Sequence, residues 1–287
     1  MSRTIGFKSV FGSGFLFILP GLLGFVLFYI APFLISIGYS FLSRPVGGVF
    51  VGFQNYIDLL GARSFRLGVM NTVIFIALCV PLNMVLSLLL ATFIKKVRRF
   101  RGLFVLIFLI PLVIPSGSMI FFWRTLFAHN GALNGLLDTL FGLRINWLNS
   151  GYARVVVMTI FIWKNLGYNI VLFLAGLQNI PKEYYEAASI DGAGPLAVFR
   201  HITFSCLAPT LVLVLIMSII NSFRAFREIY LLMGNYPHES VYMLQHFMNN
   251  MFFSLNYPRL TTATTLLVFA IALLTQTLFK LERKVSV

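Results

Sequence analysis

Six apolar runs dominate this sequence and constrain its fold more than any other feature: residues 14–42, 67–94, 103–127, 155–177, 209–233 and 261–281. About 20 apolar residues in helical form cross the ~30 Å hydrocarbon layer of a bilayer, so each run is long enough to span it with some tilt. Of the 287 residues, 59% are hydrophobic and 10% charged, whereas a soluble domain carries roughly 25% charged residues. A chain this poor in polar groups cannot cover itself for water. The expectation is an all-α, polytopic membrane protein with six transmembrane helices, forming a single domain over residues 1–287. The first run far exceeds the ~7–15-residue apolar core of a signal peptide, and no small-residue cleavage site follows it, so it is expected to remain as a helix.

The basic residues give the orientation. With the N-terminus inside, the internal segments hold Arg3, Lys8, the run KKVRRFR at 95–101, Lys182, Arg200, Lys280, Arg283 and Lys284, twelve cations in all against six outside. Excess Lys and Arg marks the cytoplasmic side, so both termini are expected there. The net charge of +14 then follows from topology and anionic headgroups, with no need of a nucleic acid. Cys79 and Cys206 fall in and beside different spans, which makes a disulfide improbable. The four histidines are scattered, without metal-ligand spacing. There is no phosphate loop, nucleophile elbow or catalytic dyad, so no catalytic residue, metal site or cofactor is assigned to this chain.

One segment departs from the apolar pattern. EYYEAASIDGAGPLAVFRHI, residues 183–202, is mixed and punctuated by glycine and proline. Pro181 suits a first helical turn, and Glu183 and Glu186 sit where the helix dipole favours negative charge. Tyr184, Ala187, Ala188 and Asp191 recur at i, i+3, i+4 and i+7, on one helical face. Gly192 supplies a break where positive φ is cheap, and Gly194-Pro195 starts a second helix edged by Leu196, Phe199 and Ile202. The pattern predicts a helix-turn-helix between the fourth and fifth spans. By local chemistry alone it is either a docking elbow or an idle amphipathic loop.

Glu186-Ala187-Ala188, Asp191-Gly192-Ala193, Phe199 and Ile202-Thr203 resemble the EAA loop of ABC importer permeases. AGLQNIPKEYY at 175–185, PGLLGFVLFYIAPFLISIGYSF at 20–41, FVGFQNYIDLL at 50–60 and FREIYLLMGNYP at 226–237 resemble the carbohydrate-uptake, maltose-type branch, in the right order. The chain departs from that branch at Phe204-Ser205, where a Leu-Pro pair is usual, and at Arg227, where Asp is common. The resemblance implies a permease subunit in the bacterial cell membrane. Its implied partners are a second homologous permease, two ATPase subunits that bind ATP and Mg, and an extracytoplasmic solute-binding protein that delivers a sugar. It also implies a coupling loop at 179–208, in which Glu186 offers its carboxylate to the ATPase. Ala187, Ala188 and Ala193 would fit the ATPase groove, with Asp191 beside them and Gly192 holding the elbow.

Polar residues inside spans point to a translocation path, because a charge at mid-depth costs about 2.5–3.5 kcal/mol even on insertion scales. Lys164 with Tyr168, and Asn165 with Asn169, stack on the fourth span; Ser218 with Ser222 stack on the fifth, alongside Asn221, Arg224 and Glu228. Lys164, Asn165, Tyr168, Ser218, Ser222 and Arg224 are the candidate path residues. Two alternatives stand beside that assignment: amides and hydroxyls as helix–helix contacts, and Arg224 paired with Glu228 one turn on. The segment 234–260 reads either as a contact for the binding protein or as a solvated loop. A gradient-driven secondary transporter is the main rival. It predicts an inverted repeat and paired intramembrane acids, yet Glu228 is the only acid in a span.

Overall fold

The computed structural model describes Phe7–Val97 and Arg99–Val285. Its elements in order are α1 (Phe7–Phe25), a π turn (Val26–Ile30), α2 (Ala31–Tyr39), α3 (Gln54–Gly61), α4 (Arg63–Lys96), α5 (Arg101–Val113) and α6 (Ser116–Phe127). They continue as α7 (Ala132–Phe141), α8 (Ala153–Gln178), α9 (Lys182–Ile190), α10 (Pro195–Val198), α11 (Phe204–Cys206), α12 (Ala208–Met233), α13 (Leu244–Phe253) and α14 (Tyr257–Val285). Five uninterrupted helical stretches are long and apolar enough to cross a membrane, and α5 with the helices that follow it forms a sixth, bent candidate. The described residues contain no strand; Leu42 and Phe50 make one isolated antiparallel bridge.

Two contact units emerge. One comprises the chain up to Ala62 together with Met251–Phe269; the other comprises Arg63–Asn250 and the chain from Ala270 on. In the first, α2 and α3 are tied by short polar bonds. Asn55 Nδ2 donates to the carbonyls of Ser40 and Leu42, both at 2.9 Å, and the Ser40 and Tyr56 hydroxyls lie 2.7 Å apart.

In the second unit, α4, α5 and α12 all pack on α8. The reason is visible in the α4 stripe. Asn71, Phe75, Cys79, Asn83, Ser87 and Ala91 recur every four residues and are buried, while Val85, Leu89 and Phe93 on other faces are exposed. Hydrocarbon supplies no hydrophobic drive for helices to associate, so close approach through small residues and a few hydrogen bonds holds such contacts. Gly167 shows the closeness: a Cβ built there would stand 1.9 Å from the Phe108 carbonyl oxygen on α5. Gly176 likewise faces Thr210 of α12, with 2.4 Å to its hydroxyl.

The third span departs from the expectation of one continuous helix over 103–127. It breaks at Ile114–Pro115, and the axes on the two sides differ by 94°. Proline carries no N–H and pushes the residue before it out of the helical region. Ile114 accordingly has φ −70° and ψ 127°. Pro115 then leads into α6, whose first residue is Ser116.

The segment after α12 also differs from a solvated loop. Val241, Met243, Leu244, His246 and Phe247 are all buried. Asn71 Nδ2 donates to the carbonyls of Glu239 at 2.6 Å and Tyr242 at 2.9 Å. Arg154 donates to Asn71 Oδ1 at 3.1 Å and to the Ser240 carbonyl at 3.2 Å. The Leu244 N–H donates to Thr72 Oγ1 at 3.0 Å, beside Gly68, where a Cβ would lie 3.1 Å from Leu244 Cα. Residues 234–250 are thus a built part of the second unit.

Candidate functional site

A cavity of about 410 Å³ opens between α8 and α12, with Leu112 of α5 at its edge. That volume lies within the roughly 300–1,000 Å³ of small-molecule sites. Its polar lining is Lys164 and Asn165 from α8 with Asn221, Arg224, Arg227 and Glu228 from α12. Lys164 Nζ and Glu228 Oε1 form a tight ion pair, with side chains 23% and 13% exposed. Ser116 completes a triad, donating to Glu228 Oε1 at 2.8 Å and accepting from Lys164 Nζ at 2.7 Å. The break at Pro115 brings that hydroxyl to the pair, because it puts Ser116 at the start of a redirected helix. Arg124 reaches from α6 to the last carbonyls of α12, those of Leu231 and Leu232, both at 3.2 Å. Its charge suits the negative end of that helix dipole.

Lys164, Asn165 and Arg224 line the cavity; Tyr168, Ser218 and Ser222 do not. Successive residues of a helix turn by about 100°, so Arg224 points about 120° away from Ser218 and about 160° away from Ser222. The two serines therefore occupy the packed face of α12. Ser218 is buried and accepts from Asn169 Nδ2 at 2.9 Å, joining α12 to α8. Ser222 is buried and donates to the Ile219 carbonyl of its own helix at 2.6 Å. Glu228 takes Lys164 across the interface, not Arg224 one turn back. Ser116 was invisible to span-by-span reading. Arg227 and Glu228 had a signal, as ionisable residues inside an apolar run. Among the described residues, no group of three His, Cys, Asp or Glu is placed to hold a metal.

The second feature is the elbow. Pro181 stands just before α9 as its cap residue, Glu183 lies in the first turn, and Gly192 has φ +71°, with open space where a Cβ would go. The Ala193 N–H donates to the Ala188 carbonyl at 2.9 Å and Asp191 N–H to Ala187 O at 3.0 Å, closing the helix end. Gly194 then caps α10 with Pro195 at its first position, and a π turn over Phe199–Thr203 carries the chain toward α12. Glu186, Ala187, Asp191, Gly192 and Ala193 are exposed, whereas Ala188 is buried. Ala188 therefore does not share the outward face with Tyr184, Ala187 and Asp191. It lies one turn from Tyr185, which packs inward on the cluster around Phe173 and Leu177. Ile190 and Leu196 remain 87% and 80% exposed, an apolar rim on an otherwise polar elbow.

Lys95 braces this elbow. Its Nζ donates to the Leu177 carbonyl at the end of α8, 2.9 Å, and lies 5.0 Å from the centre of the Tyr185 ring. The Tyr185 and Thr203 hydroxyls lie 3.2 Å apart, tying α9 to the π turn.

Residues 83–285 match the family described as binding-protein-dependent transport system inner membrane components. The arabinooligosaccharides transport system permease protein of Bacillus subtilis is 36% identical over 243 residues, covering 82% of this chain and 77% of that one. The trehalose/maltose transport system permease protein of Thermococcus litoralis is 35% identical over 232 residues, 78% of each. The chain belongs to the carbohydrate-uptake family of ABC transporter permeases. Permease subunits of this family are not themselves enzymes. A chain of a bacterial ABC transporter that imports the acidic polysaccharide alginate shares the permease's fold. Its TM-score is 0.83 at 20% identity, covering 96% of both chains. A chain of a bacterial alginate ABC transporter in complex with an alginate-pentasaccharide-bound periplasmic protein gives a TM-score of 0.84 at 20% identity, covering 99% and 98%.

Proposed function

We propose that this permease is the membrane-spanning subunit of an ATP-driven importer that takes up a carbohydrate delivered by an extracytoplasmic binding protein. It spans the bacterial plasma membrane with both termini and the 179–208 elbow in the cytoplasm. A second permease completes the pore, and two ATPase subunits, which carry the ATP and Mg, dock on the elbow. Permease-family membership supports this reading, and one structural observation carries it. In a chain built of apolar helices, a two-helix elbow holds Glu186, Ala187, Asp191 and Ala193 exposed around a left-handed glycine. Pre-ordered and rimmed by uncovered Ile190 and Leu196, it presents a rigid surface to a partner. The Lys164–Glu228–Ser116 triad and the neighbouring amides and guanidiniums give the cavity donors for hydroxyl-rich cargo.

The test is uptake in proteoliposomes holding the native assembly with its binding protein. Gly192→Asp forces a side chain onto a φ of +71° and adds charge at the docking tip. ATP hydrolysis without sugar accumulation is the expected result. Unchanged uptake by an intact Gly192→Asp assembly contradicts the docking role.

A further inference from the structure

The charges of the α8–α12 cavity do not cancel. Lys164 is spent on Glu228, which also accepts from Ser116. Arg224 and Arg227 line the same cavity, and among the described residues their side chains make no ion pair or hydrogen bond. The chain has eight acidic residues, and Glu228 is the only one inside the six apolar runs. Asp138 is paired with Arg144 and Glu239 with Arg63; Glu183, Glu186 and Asp191 belong to the elbow, Asp58 to α3, and Glu282 lies near the end of α14. At ~1.5 Å per residue, Arg224 and Arg227 stand about 14 and 9 Å inside the end of α12 at Met233. Lys164 stands about 16 Å inside the end of α8 at Ala153. Both arginine side chains are exposed in this chain, and an ionisable residue within an apolar span normally faces the bundle interior or a water-filled cavity. A cleft with low-dielectric walls and one sign of charge concentrates counter-ions, and a guanidinium fork matches the paired oxygens of a carboxylate or phosphate.

We propose that the cavity is selective for an anionic carbohydrate, whose carboxylate or phosphate is clamped by Arg224 and Arg227 while Asn165 and Asn221 take its hydroxyls. This rests on the importer reading and narrows its cargo. The Lys164–Glu228 pair keeps the third cation from competing with the two arginines for the anion.

The native assembly, purified in nanodiscs at low salt, is titrated calorimetrically with trigalacturonate, glucose 6-phosphate and maltotriose. One or both anions should bind and maltotriose should not, the better anion telling carboxylate from phosphate. Arg224→Gln and Arg227→Gln should each weaken anion binding about tenfold, as expected for one charge-assisted hydrogen bond. Arg224→Lys with Arg227→Lys, which keeps both charges but not the fork and controls for folding, should bind the anion more weakly than the parent and more tightly than Arg224→Gln with Arg227→Gln. Equal binding of maltotriose, no binding of either anion, or an anion affinity indifferent to Arg→Gln overturns the proposal. So does dissociation of the second permease from the Arg→Gln assembly, which would assign the arginines to carboxylates of that subunit. ATP hydrolysis in the same preparation separates the two levels. Stimulation by its binding protein carrying a neutral sugar would overturn the anionic cargo and leave the importer standing, whereas absence of any ATPase subunit would remove the importer itself.

Discussion

Breaking the Lys164–Glu228 pair from one side should cost far more than removing it whole. Both side chains are largely buried between apolar helices, 23% and 13% exposed, with Ser116 as their shared third partner. Glu228→Gln leaves the Lys164 ammonium with the serine hydroxyl and an amide oxygen. Lys164→Met leaves the carboxylate with the serine alone. Stranding one member of a fully buried pair costs about 3–5 kcal/mol. The cavity wets this pair in part, which brings each single variant to about 2–3 kcal/mol. At about 2–4 °C per kcal/mol for a chain approaching this size, each should melt about 4–12 °C below the parent. The double variant replaces two charges with neutral groups of similar shape and should recover most of the loss, giving a coupling energy of at least about 2 kcal/mol. Thermal melts of the four proteins in one detergent form the cycle. Additivity of the two single effects to within about 0.5 kcal/mol would refute the pair as a buried, mutually compensating unit.

Three further outcomes follow from contacts elsewhere. Gly167→Ala puts a methyl 1.9 Å from the Phe108 carbonyl, so α5 and α8 must separate; a loss of about 1–3 kcal/mol is expected on thermal melting, and a variant as stable as the parent refutes that close approach. His246 is fully buried against the Phe226 and Tyr242 rings, its Nδ1 accepts from the Met243 N–H at 3.1 Å, and burial pushes its pKa down to about 4. The unfolded chain binds a proton there near pH 6.5 and the folded chain does not. This contribution is therefore whole above about pH 6.5 and falls away as pH drops toward about 4; His246→Gln should flatten the acid limb of a stability–pH profile, and an unchanged limb refutes the assignment. Lys95→Met removes the bond to Leu177 and the charge over Tyr185, together about 1–2 kcal/mol of bracing. More ATP should be spent per sugar imported, with Lys95→Arg restoring the ratio; an unaltered ratio in Lys95→Met assigns the contact to packing alone.

The spans were legible because hydrocarbon leaves a chain two options, helices or a closed barrel, and continuous apolar runs of this length fit the first. Where the sequence misled, side-chain direction or a long-range contact decided. The IPLVIP stretch at 110–115 carried the signal for the break in its two prolines, but its 94° consequence depends on the helices that α6 then meets. Polarity makes Ser218 and Ser222 candidates without saying which neighbour each face meets, and both are buried outside the cavity lining. Glu228 has Arg224 four residues away, a favourable helical spacing, and Lys164 sixty-four away; the cross-helix partner wins because burial lies there. For 234–260 polarity alone leaves a binding-protein contact and a solvated loop equally open, because it does not show that Val241, Met243 and Phe247 are buried. The helix-turn-helix form of the segment is legible, since Gly192 and Gly194-Pro195 act locally. Only the inward turn of Ala188 needed the body beneath it.

The most direct measurement is recovery of the tagged permease from its native membrane in mild detergent, with the accompanying proteins identified by mass spectrometry. An ATP-binding-cassette subunit and a second permease should come with it. The ATPase should be lost when Glu186 and Gly192 are altered together, with the permease itself still recovered at parental level. A permease recovered alone, or only with copies of itself, would contradict the importer assembly and favour gradient-driven transport.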